Sequence, residues 1–368
     1  MIGPADDLMI HQTHEPVRYA STSDRRFYDR HFLTGHSQDG DVFFLLGMGV
    51  YPNLGVIDAF ASVAVGDTQT TTRASRELGV DRLDSTGVGP VDLQVLEGLR
   101  RLRFFVAPGD HAVSLDLLWE GSVPAFEEPP LHSRVAGRLI EQGTRLIQTG
   151  RWSGHVTVAG RRFEVGPDTW WGARDRSWGV RSIGLEREPK GIAQAHGLGK
   201  KRPPLWIWSP MQFEKRTVHL VISEHASGER EIETVRHVPV LPAGGEFREL
   251  SEPAHELKFD SDRELLEGSS VSFRDIDGSR RTVTLEPLRR AYLRAGTGYG
   301  GPDPWRHGAY MGESWVDSVS FDLSDEALTK RIGPTHVLCR MTTDTGEVGY
   351  GTFETQVFGA FPPYGFDS

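Results

Sequence analysis

Apolar and polar residues alternate with a period of two along the whole chain, and this pattern constrains the fold more than any other feature of the sequence. The clearest example is the segment 113–120, where one face carries Val113, Leu115, Leu117 and Trp119. Apolar residues with helical periodicity are scarce throughout the chain. The sequence therefore predicts an all-β protein built from antiparallel strands.

Short turn sequences between the apolar runs predict β-hairpins. Pro108-Gly109-Asp110 joins the segment 102–106 to the segment 113–120. Asp275–Gly278 lies between the segments 271–274 and 282–285, and Asp-Gly supplies the positive φ angles of a tight hairpin. A calcium loop is excluded there, because the later bidentate Glu is missing. Longer hairpins are predicted from 41–46 into 56–60 and from 205–208 into 218–222.

One short connecting helix is predicted at Ser324–Arg331. The serine is in a capping position, acidic residues follow it, basic residues close the segment, and Gly333 comes after the last turn. A helix-rich fold would need many more segments of this kind.

Composition and charge exclude several classes of protein. The net charge of −10 argues against a nucleic-acid partner, which requires clustered Lys and Arg. The first residues lack the pattern of a secretory signal, and no apolar run is long enough for a transmembrane segment, so we expect a cytoplasmic protein. The single cysteine, Cys339, lies in a strand-like apolar run and is expected to be an inert core thiol.

The chain is long enough for two domains, and its 368 residues divide most naturally near the middle. Gly, Lys and Pro accumulate from Glu188 to Pro204, where apolar periodicity lapses. We therefore expect an N-terminal barrel at 1–195 and a C-terminal barrel at 196–368. A closed barrel removes sheet edges and can enclose a cavity for one apolar molecule.

The segment Trp170–Arg181 concentrates more chemistry than any other part of the chain. It contains three indoles, three guanidinium groups and one carboxylate, that of Asp175. Desolvation against Trp171 and Trp178 would favour the neutral form of Asp175 and make it a proton donor. The opposing interpretation is a buried Arg–Asp pair that pins a strand crossing, which is a common structural role for such residues.

This Trp/Gly/Asp/Trp-Gly segment resembles the motif of the carotenoid 1,2-hydratase (hydroxyneurosporene synthase) superfamily. The resemblance implies two lipocalin-like, calycin-like antiparallel β-barrels packed together. It also implies that Asp175 and Trp178 point into a cavity near the interface of the barrels. The implied chemistry is acid-assisted hydration or cyclisation of an isoprenoid- or polyene-like substrate, without a redox cofactor.

Further candidate substrate-binding residues come from the same region and from the second half. Asp175 is the candidate catalytic residue. The candidate substrate-binding residues are Trp171, Arg174, Trp178, Arg181, Trp206, Trp208 and His219. Trp206 and Trp208 share one face of a strand, where they either line a lumen or pack in the core. His219 faces away from Val218 and Leu220, so it is either a lumen histidine or an ordinary satisfied one.

The chain lacks the common sequence motifs of nucleotide-binding proteins, serine hydrolases and metalloproteases. Gly296–Gly301 lacks the strand-to-helix context of a dinucleotide fingerprint and is expected to form a loop near a barrel mouth. The chain has no nucleophile elbow, P-loop or His-Glu-x-x-His motif, and we expect no metal and no cofactor. The aromatic segment Phe358–Tyr364 packs either across the barrels or against a second subunit, which leaves a homodimer open.

Two functions from different classes follow from these observations. One is a hydratase (a lyase) or a cyclase (an isomerase) acting on an apolar small molecule in a Trp-lined cavity. The other is a carrier that binds a hydrophobic, lipid-like ligand without chemistry. Fold alone does not separate them.

Overall fold

The computed structural model describes residues 4–79, 87–135, 137–181, 203–242, 247–332 and 335–367, and it is an all-β protein, as the alternation predicted. In chain order, the strands of the N-terminal half are β1 (Phe27–Ser37), β2 (Val42–Tyr51), β3 (Val56–Val65), β4 (Thr68–Glu77), β5 (Gly87–Val88), β6 (Val91–Glu97), β7 (Arg101–Val106), β8 (Val113–Gly121), β9 (Phe126–Glu127), β10 (Leu131–Val135), β11 (Arg138–Val158), β12 (Arg161–Val165) and β13 (Trp170–Val180). In the C-terminal half they are β14 (Leu205–Phe213), β15 (Arg216–Glu224), β16 (Arg230–Pro239), β17 (Arg248–Glu249), β18 (Ser251–Glu256), β19 (Ser269–Arg274), β20 (Arg280–Tyr292), β21 (Ser314–Asp322), β22 (Thr335–Thr343) and β23 (Val348–Val357), with the helix α1 at Glu326–Ile332.

Two antiparallel sheets wrap around separate apolar cores. In the first sheet the order is β21-β4-β3-β2-β1-β13-β11-β8-β7-β6-β5, with β9, β10 and β12 also pairing with β11. In the second the order is β17-β16-β15-β14-β23-β22-β20-β19-β18. Aromatic and aliphatic side chains fill both interiors, among them Trp119 and Trp152 in the first and Phe213 and Phe353 in the second. The two lipocalin-like barrels of the sequence analysis are confirmed.

The central strands of the first sheet are apolar on both faces because both faces are covered. In β2, Phe44 and Leu46 point into the barrel core, while Phe43 and Leu45 pack outward against the second sheet. A buried hydrogen bond of 2.5 Å between the hydroxyls of Thr149 and Thr217 also joins the two sheets. The outer faces of the barrels therefore form a packed interface.

The predicted hairpins are confirmed, with one correction in a turn. Strands β7 and β8 pair in antiparallel register, as do β2 with β3, β14 with β15, and β19 with β20. In the β19–β20 turn only Gly278 has a positive φ, of 80°. Asp277 instead accepts hydrogen bonds from the backbone N–H and the hydroxyl of Ser279. The glycine alone thus satisfies the unusual backbone angle of this turn.

The predicted connecting helix is present as α1, but its cap is not the serine. Asp325 Oδ1 accepts hydrogen bonds from the backbone N–H groups of Ala327 and Leu328. The hydroxyl of Ser324 donates to Asp322 Oδ1 at 2.6 Å and is engaged in the preceding turn. A carboxylate at the N-cap also interacts favourably with the helix dipole.

One strand of the C-terminal half completes the first sheet. Strand β21 pairs along its full length with β4, from Ser314 opposite Arg76 to Asp322 opposite Thr68. The expected boundary between 195 and 196 lies outside the described residues, and the division into 1–195 and 196–368 stays a prediction. The segment 293–313 runs from β20 in the second sheet to β21 in the first and spans their interface.

Cys339 lies in β22 with its side chain in the second core, and burial raises the pKa of its thiol far above the ordinary value. The interpretation as an inert core thiol is consistent with this position. In the part of the chain that the structure describes, no helix has the length and apolar character needed to cross a bilayer.

Candidate active site

A pocket of about 400 Å³ lies between the two barrels, lined by residues of both sheets and of the segment 293–299. Its aromatic and aliphatic wall consists of Phe32, Trp206, Trp208, Leu293, Tyr299 and Phe358. Its polar lining consists of Arg145, Asp175, Arg181, Arg294, His336, Glu354 and Gln356. Because both barrel interiors are filled with side chains, this space between the barrels is the candidate site for a ligand.

Strand alternation directs Asp175 into this pocket. In the register of the first sheet, Asp175 lies beside Phe32 of β1 and Ile147 of β11, and side-by-side residues of antiparallel strands share a face. Ile147 packs against Trp208 and Val221 of the second sheet. The face that carries Asp175 is therefore the one turned toward the other barrel.

The carboxyl group of Asp175 has no partner among the described residues. Its Oδ1 atom is shielded from solvent and accepts no hydrogen bond, and the carboxylate forms no ion pair there. Burial raises the pKa of Asp175 to about 6, with the charges of Arg145 and Arg181 opposing the rise and that of Glu128 adding to it. The group is thus poised to exchange a proton near neutral pH.

The arginines on either side of Asp175 in the sequence point to the opposite face of β13. Arg174 is buried toward the first barrel, where its Nε donates to Gln148 Oε1 at 2.8 Å. Arg176 forms an ion pair with Asp29. The structural alternative, in which a flanking arginine pairs with Asp175, is therefore not formed. Period two places residues 174 and 176 away from 175, so the sequence already contained this signal.

A buried carboxylate that the sequence analysis missed, Glu128, joins the barrels beside the pocket. Its Oε1 accepts a hydrogen bond from Trp208 Nε1 at 2.5 Å and lies 3.1 Å from His219 Nε2. Its Oε2 lies 2.8 Å from Arg145 Nε. Trp208 and His219 belong to the second sheet and Arg145 to the first. No sequence pattern distinguishes Glu128, which stands in the acidic, proline-containing segment 126–130.

Glu128 and Asp175 have opposite electrostatic environments. Burial acts to raise the pKa of Glu128, but Arg145, His219 and Trp208 outweigh it and hold this pKa at about 2. The pKa of Asp175 is about 6, because burial raises it and no such partner contacts its carboxyl group. Two carboxyl groups whose pKa values are separated in this way suit an acid and a permanent anion.

The indoles of the segment 170–178 do not line the pocket. Trp170 packs in the first core. Trp171 packs edge-on against Tyr350 at the interface, with Arg151 over its ring at 5.0 Å. Trp178 is 37 % exposed and lies under Arg176. The resemblance placed Trp178 in the cavity, whereas the structure places it on the surface; the pocket indoles are Trp206 and Trp208.

The two histidines near the pocket are buried on the outer face of the second barrel, not in its lumen. His219 pairs with Glu128 and packs against Trp208 and Phe126. His336 lines the pocket, and burial lowers its pKa to about 3, so it is neutral at physiological pH. Its Nε2 lies 3.8 Å from Glu354 Oε2.

Two further arginines line the pocket. Arg181 lies 4.7 Å above the ring of Tyr28 and interacts with Tyr299. Arg294 is half-buried beside the glycine-rich loop 296–301. Gly301 has a φ of 87°, and a Cβ there would lie 2.6 Å from the carbonyl oxygen of Arg294. Only glycine allows the loop to approach the arginine so closely.

No group of three or more His, Cys, Asp and Glu side chains within the described ranges is arranged to hold a metal ion. Gly296–Gly301 forms a loop, as expected, and Tyr299 of this loop lines the pocket.

Comparison with known proteins gives a family and a fold. The model of a "Family of unknown function (DUF8625)" matches residues 2–367. A search of the curated proteins found no match. The crystal structure of CghA with Sch210972 superposes with a TM-score of 0.50 at 12% identity, covering 91% of this chain and 89% of that one. The crystal structure of kievitone hydratase from Nectria haematococca gives a TM-score of 0.41 at 10% identity, covering 93% of each chain. The CghA similarity shows a shared fold, and this fold is the double-barrel architecture that the sequence analysis predicted.

Proposed function

The chain belongs to this family of unknown function, and from its pocket we propose that it is an enzyme in which Asp175 acts as a general acid. The reaction is the hydration, cyclisation or isomerisation of an apolar, isoprenoid- or polyene-like small molecule. The enzyme is then a hydratase (a lyase) or a cyclase (an isomerase). The observation that carries the proposal is an unpaired carboxyl group, with a pKa of about 6, facing an aromatic pocket.

The proton balance of the reaction requires only one acidic group. Protonated Asp175 gives its proton to an alkene carbon, which forms a C–H bond and leaves a carbocation. In hydration, water then adds to the cation and one of its protons returns to the carboxylate. In cyclisation or isomerisation, loss of a proton from a neighbouring carbon restores the acid. A pKa near neutrality serves both transfers.

The pocket walls suit a cationic intermediate. The aromatic faces of Trp206, Trp208 and Tyr299 are available to stabilise positive charge through their quadrupoles. Glu128 contributes a fixed negative charge behind this wall, where it also favours the protonated form of Asp175. The same aromatic surfaces exclude water from the apolar body of a substrate.

The proposal is tested by isotope incorporation. We suggest incubating the full-length protein with a lipid extract of its own host cells in D₂O and comparing products by mass spectrometry. Acid-dependent protonation of carbon leaves a deuterium that does not wash out in H₂O. Asp175→Asn should abolish the label, whereas Asp116→Asn, in a partly exposed ion pair with Arg103 far along the first sheet, should retain it.

The result also separates an enzyme from a carrier. Labelled product with the wild type and none with Asp175→Asn, with no loss of thermal stability in the variant, supports general-acid catalysis. Co-purification of host lipids with no labelled product after long incubation would identify the protein as a hydrophobic-ligand carrier and overturn the catalytic proposal.

A further inference from the structure

We propose that the molecule bound between the barrels is an amphipathic acid, whose apolar body packs on the aromatic wall and whose carboxylate binds Arg294, assisted by Arg181. This inference takes from the proposed function only the identity of the pocket. It narrows the ligand class from apolar molecules in general to those with an anionic head group.

The first observation is that Arg294 faces the pocket without an ion-pair partner among the described residues, although Glu354 and Asp175 line the same pocket. It forms no ion pair and no hydrogen bond within the described ranges of the chain. By contrast, Arg145 is neutralised by Glu128 at 2.8 Å. A half-buried guanidinium has five N–H donors in a fixed fork, which matches a carboxylate in a bidentate arrangement.

The second observation is that two further arginines lie beside Tyr299 without forming an ion pair among the described residues. The guanidinium of Arg30 lies 4.6 Å from this ring, is 2 % exposed, and has two nitrogen atoms, Nε and Nη2, that are shielded and without partners. Arg181 contacts Tyr28 and Tyr299, neither of which is a carboxylate. The guanidinium groups of Arg30 and Arg181 thus lie beside Tyr299 without an ion-pair partner among the described residues.

The third observation is that Arg294 is held in position. The backbone of Gly301 packs against the carbonyl oxygen and Cβ of Arg294, at 2.6 and 2.9 Å from the place of an added Cβ. Leu293, the preceding residue, packs in the apolar cluster between the sheets. Because the main chain of Arg294 is already in place, binding through its side chain requires no ordering of the loop.

The pocket has two chemically different parts, an arginine that binds the head group and an aromatic wall that binds the apolar body. Neither Arg294 nor Asp175 forms an ion pair among the described residues. A ligand carboxylate at Arg294 therefore breaks no existing ion pair in the pocket. The head group binds at Arg294, and the apolar body extends along Trp206 and Trp208. This arrangement fixes the orientation of a long ligand, because its head group lies at Arg294 and its apolar body faces Asp175.

The test compares ligands that differ only in the head group. Retinoic acid and retinol share one apolar body, and oleic acid and oleyl alcohol share another. Dissociation constants are measured near neutral pH with the full-length protein, by quenching of tryptophan fluorescence for the retinoids and by displacement of bound retinoic acid or by calorimetry for the oleyl pair. We expect the wild type to bind at least one acid about tenfold or more tightly than its alcohol, and added salt should weaken only the acid.

The variants assign the effect to one residue. Arg294→Gln should weaken binding of the acid by about tenfold or more and leave the alcohol unchanged, whereas Arg294→Lys should retain part of the preference. Arg340→Gln, an exposed arginine on β22 outside the pocket, should change neither ligand. Melting temperatures verify that each variant is folded.

Equal binding of acid and alcohol in both pairs, or failure of both acids to bind, overturns the inference. So does a preference for the acid that survives in Arg294→Gln. None of these outcomes bears on deuterium transfer by Asp175, whose failure would in turn leave the head-group preference intact.

Discussion

Trp208 of the second barrel donates a hydrogen bond of 2.5 Å from its indole N–H to the buried carboxylate of Glu128, which belongs to the first. His219 and Arg145 complete the surroundings of that carboxylate. One of the contacts that join the barrels therefore lies directly beside the pocket. Its negative charge also contributes to the raised pKa of Asp175, so assembly and acid–base chemistry depend on the same group.

Glu128→Gln should destabilise the protein strongly. The substitution leaves the buried guanidinium of Arg145 without its counter-charge, and breaking a buried pair on one side costs about 3–5 kcal/mol in the free energy of unfolding. Chemical denaturation measures this change. Glu214→Gln is the matched control, because Glu214 pairs with Arg151 across the same two sheets but is 70% exposed, where an ion pair contributes only about 0–1 kcal/mol. Similar losses for both variants would contradict the assignment.

Asp175→Asn should raise the melting temperature at neutral pH and leave it unchanged near pH 4. The pKa of an aspartate is near 3.8 when unperturbed and about 6 at this site. The folded state therefore binds the proton more tightly, so the wild type loses stability as the pH rises from about 4 to about 6, and the full loss is present above that range. The melting temperature of the variant minus that of the wild type should be positive near pH 7.5 and approach zero near pH 4. A variant less stable than the wild type at pH 7.5 would instead indicate a structural role.

The turnover rate should fall as pH rises through about 6, because the proton-donating form of Asp175 is lost. Glu128 remains ionised throughout this range, since its pKa is about 2. The pH profile of kcat/KM for any labelled substrate found above provides the measurement. A rate that increases through this range would assign Asp175 the role of a base.

Gly35→Ala should destabilise the first barrel. An added Cβ would collide with the ring of Phe44 and approach Trp152 Nε1 to 2.6 Å, and overpacking of this kind typically costs about 1–3 kcal/mol. Gly166→Ala is the control, since no described atom lies within 4 Å of its Cβ position and its φ is not in the left-handed region. Equilibrium unfolding of the two variants gives the comparison; equal stabilities would show that the core accommodates the methyl group.

The strands and the fold could be predicted from the sequence because alternation reports directly on which faces are covered. The segment 113–120 reads Val, Leu, Leu, Trp on alternate positions and forms β8 as expected. The pairing of β21 with β4 could not be predicted, since the partners lie some 240 residues apart and neither carries a pattern that specifies the other. Long-range register depends on packing rather than on local preference.

The candidate site was predicted in part. Asp175, Arg181, Trp206 and Trp208 come together in the pocket, whereas Trp171, Arg174 and Trp178 lie elsewhere. Neighbours in sequence were treated as neighbours in space, but adjacent residues of a strand face opposite sides. Arg294 and Glu128 were missed because each depends on contacts between distant segments.

The pairing of β21 with the first sheet has a practical consequence for experiments on the N-terminal half of this protein alone. A fragment ending before residue 314 would retain β1 to β13 yet leave one side of β4 with unpaired N–H and C=O groups. Such an open border is a template for pairing with another copy, so a shortened chain of this kind is prone to aggregate. The pairing of β21 with β4 is what protects this edge of the N-terminal barrel from intermolecular association.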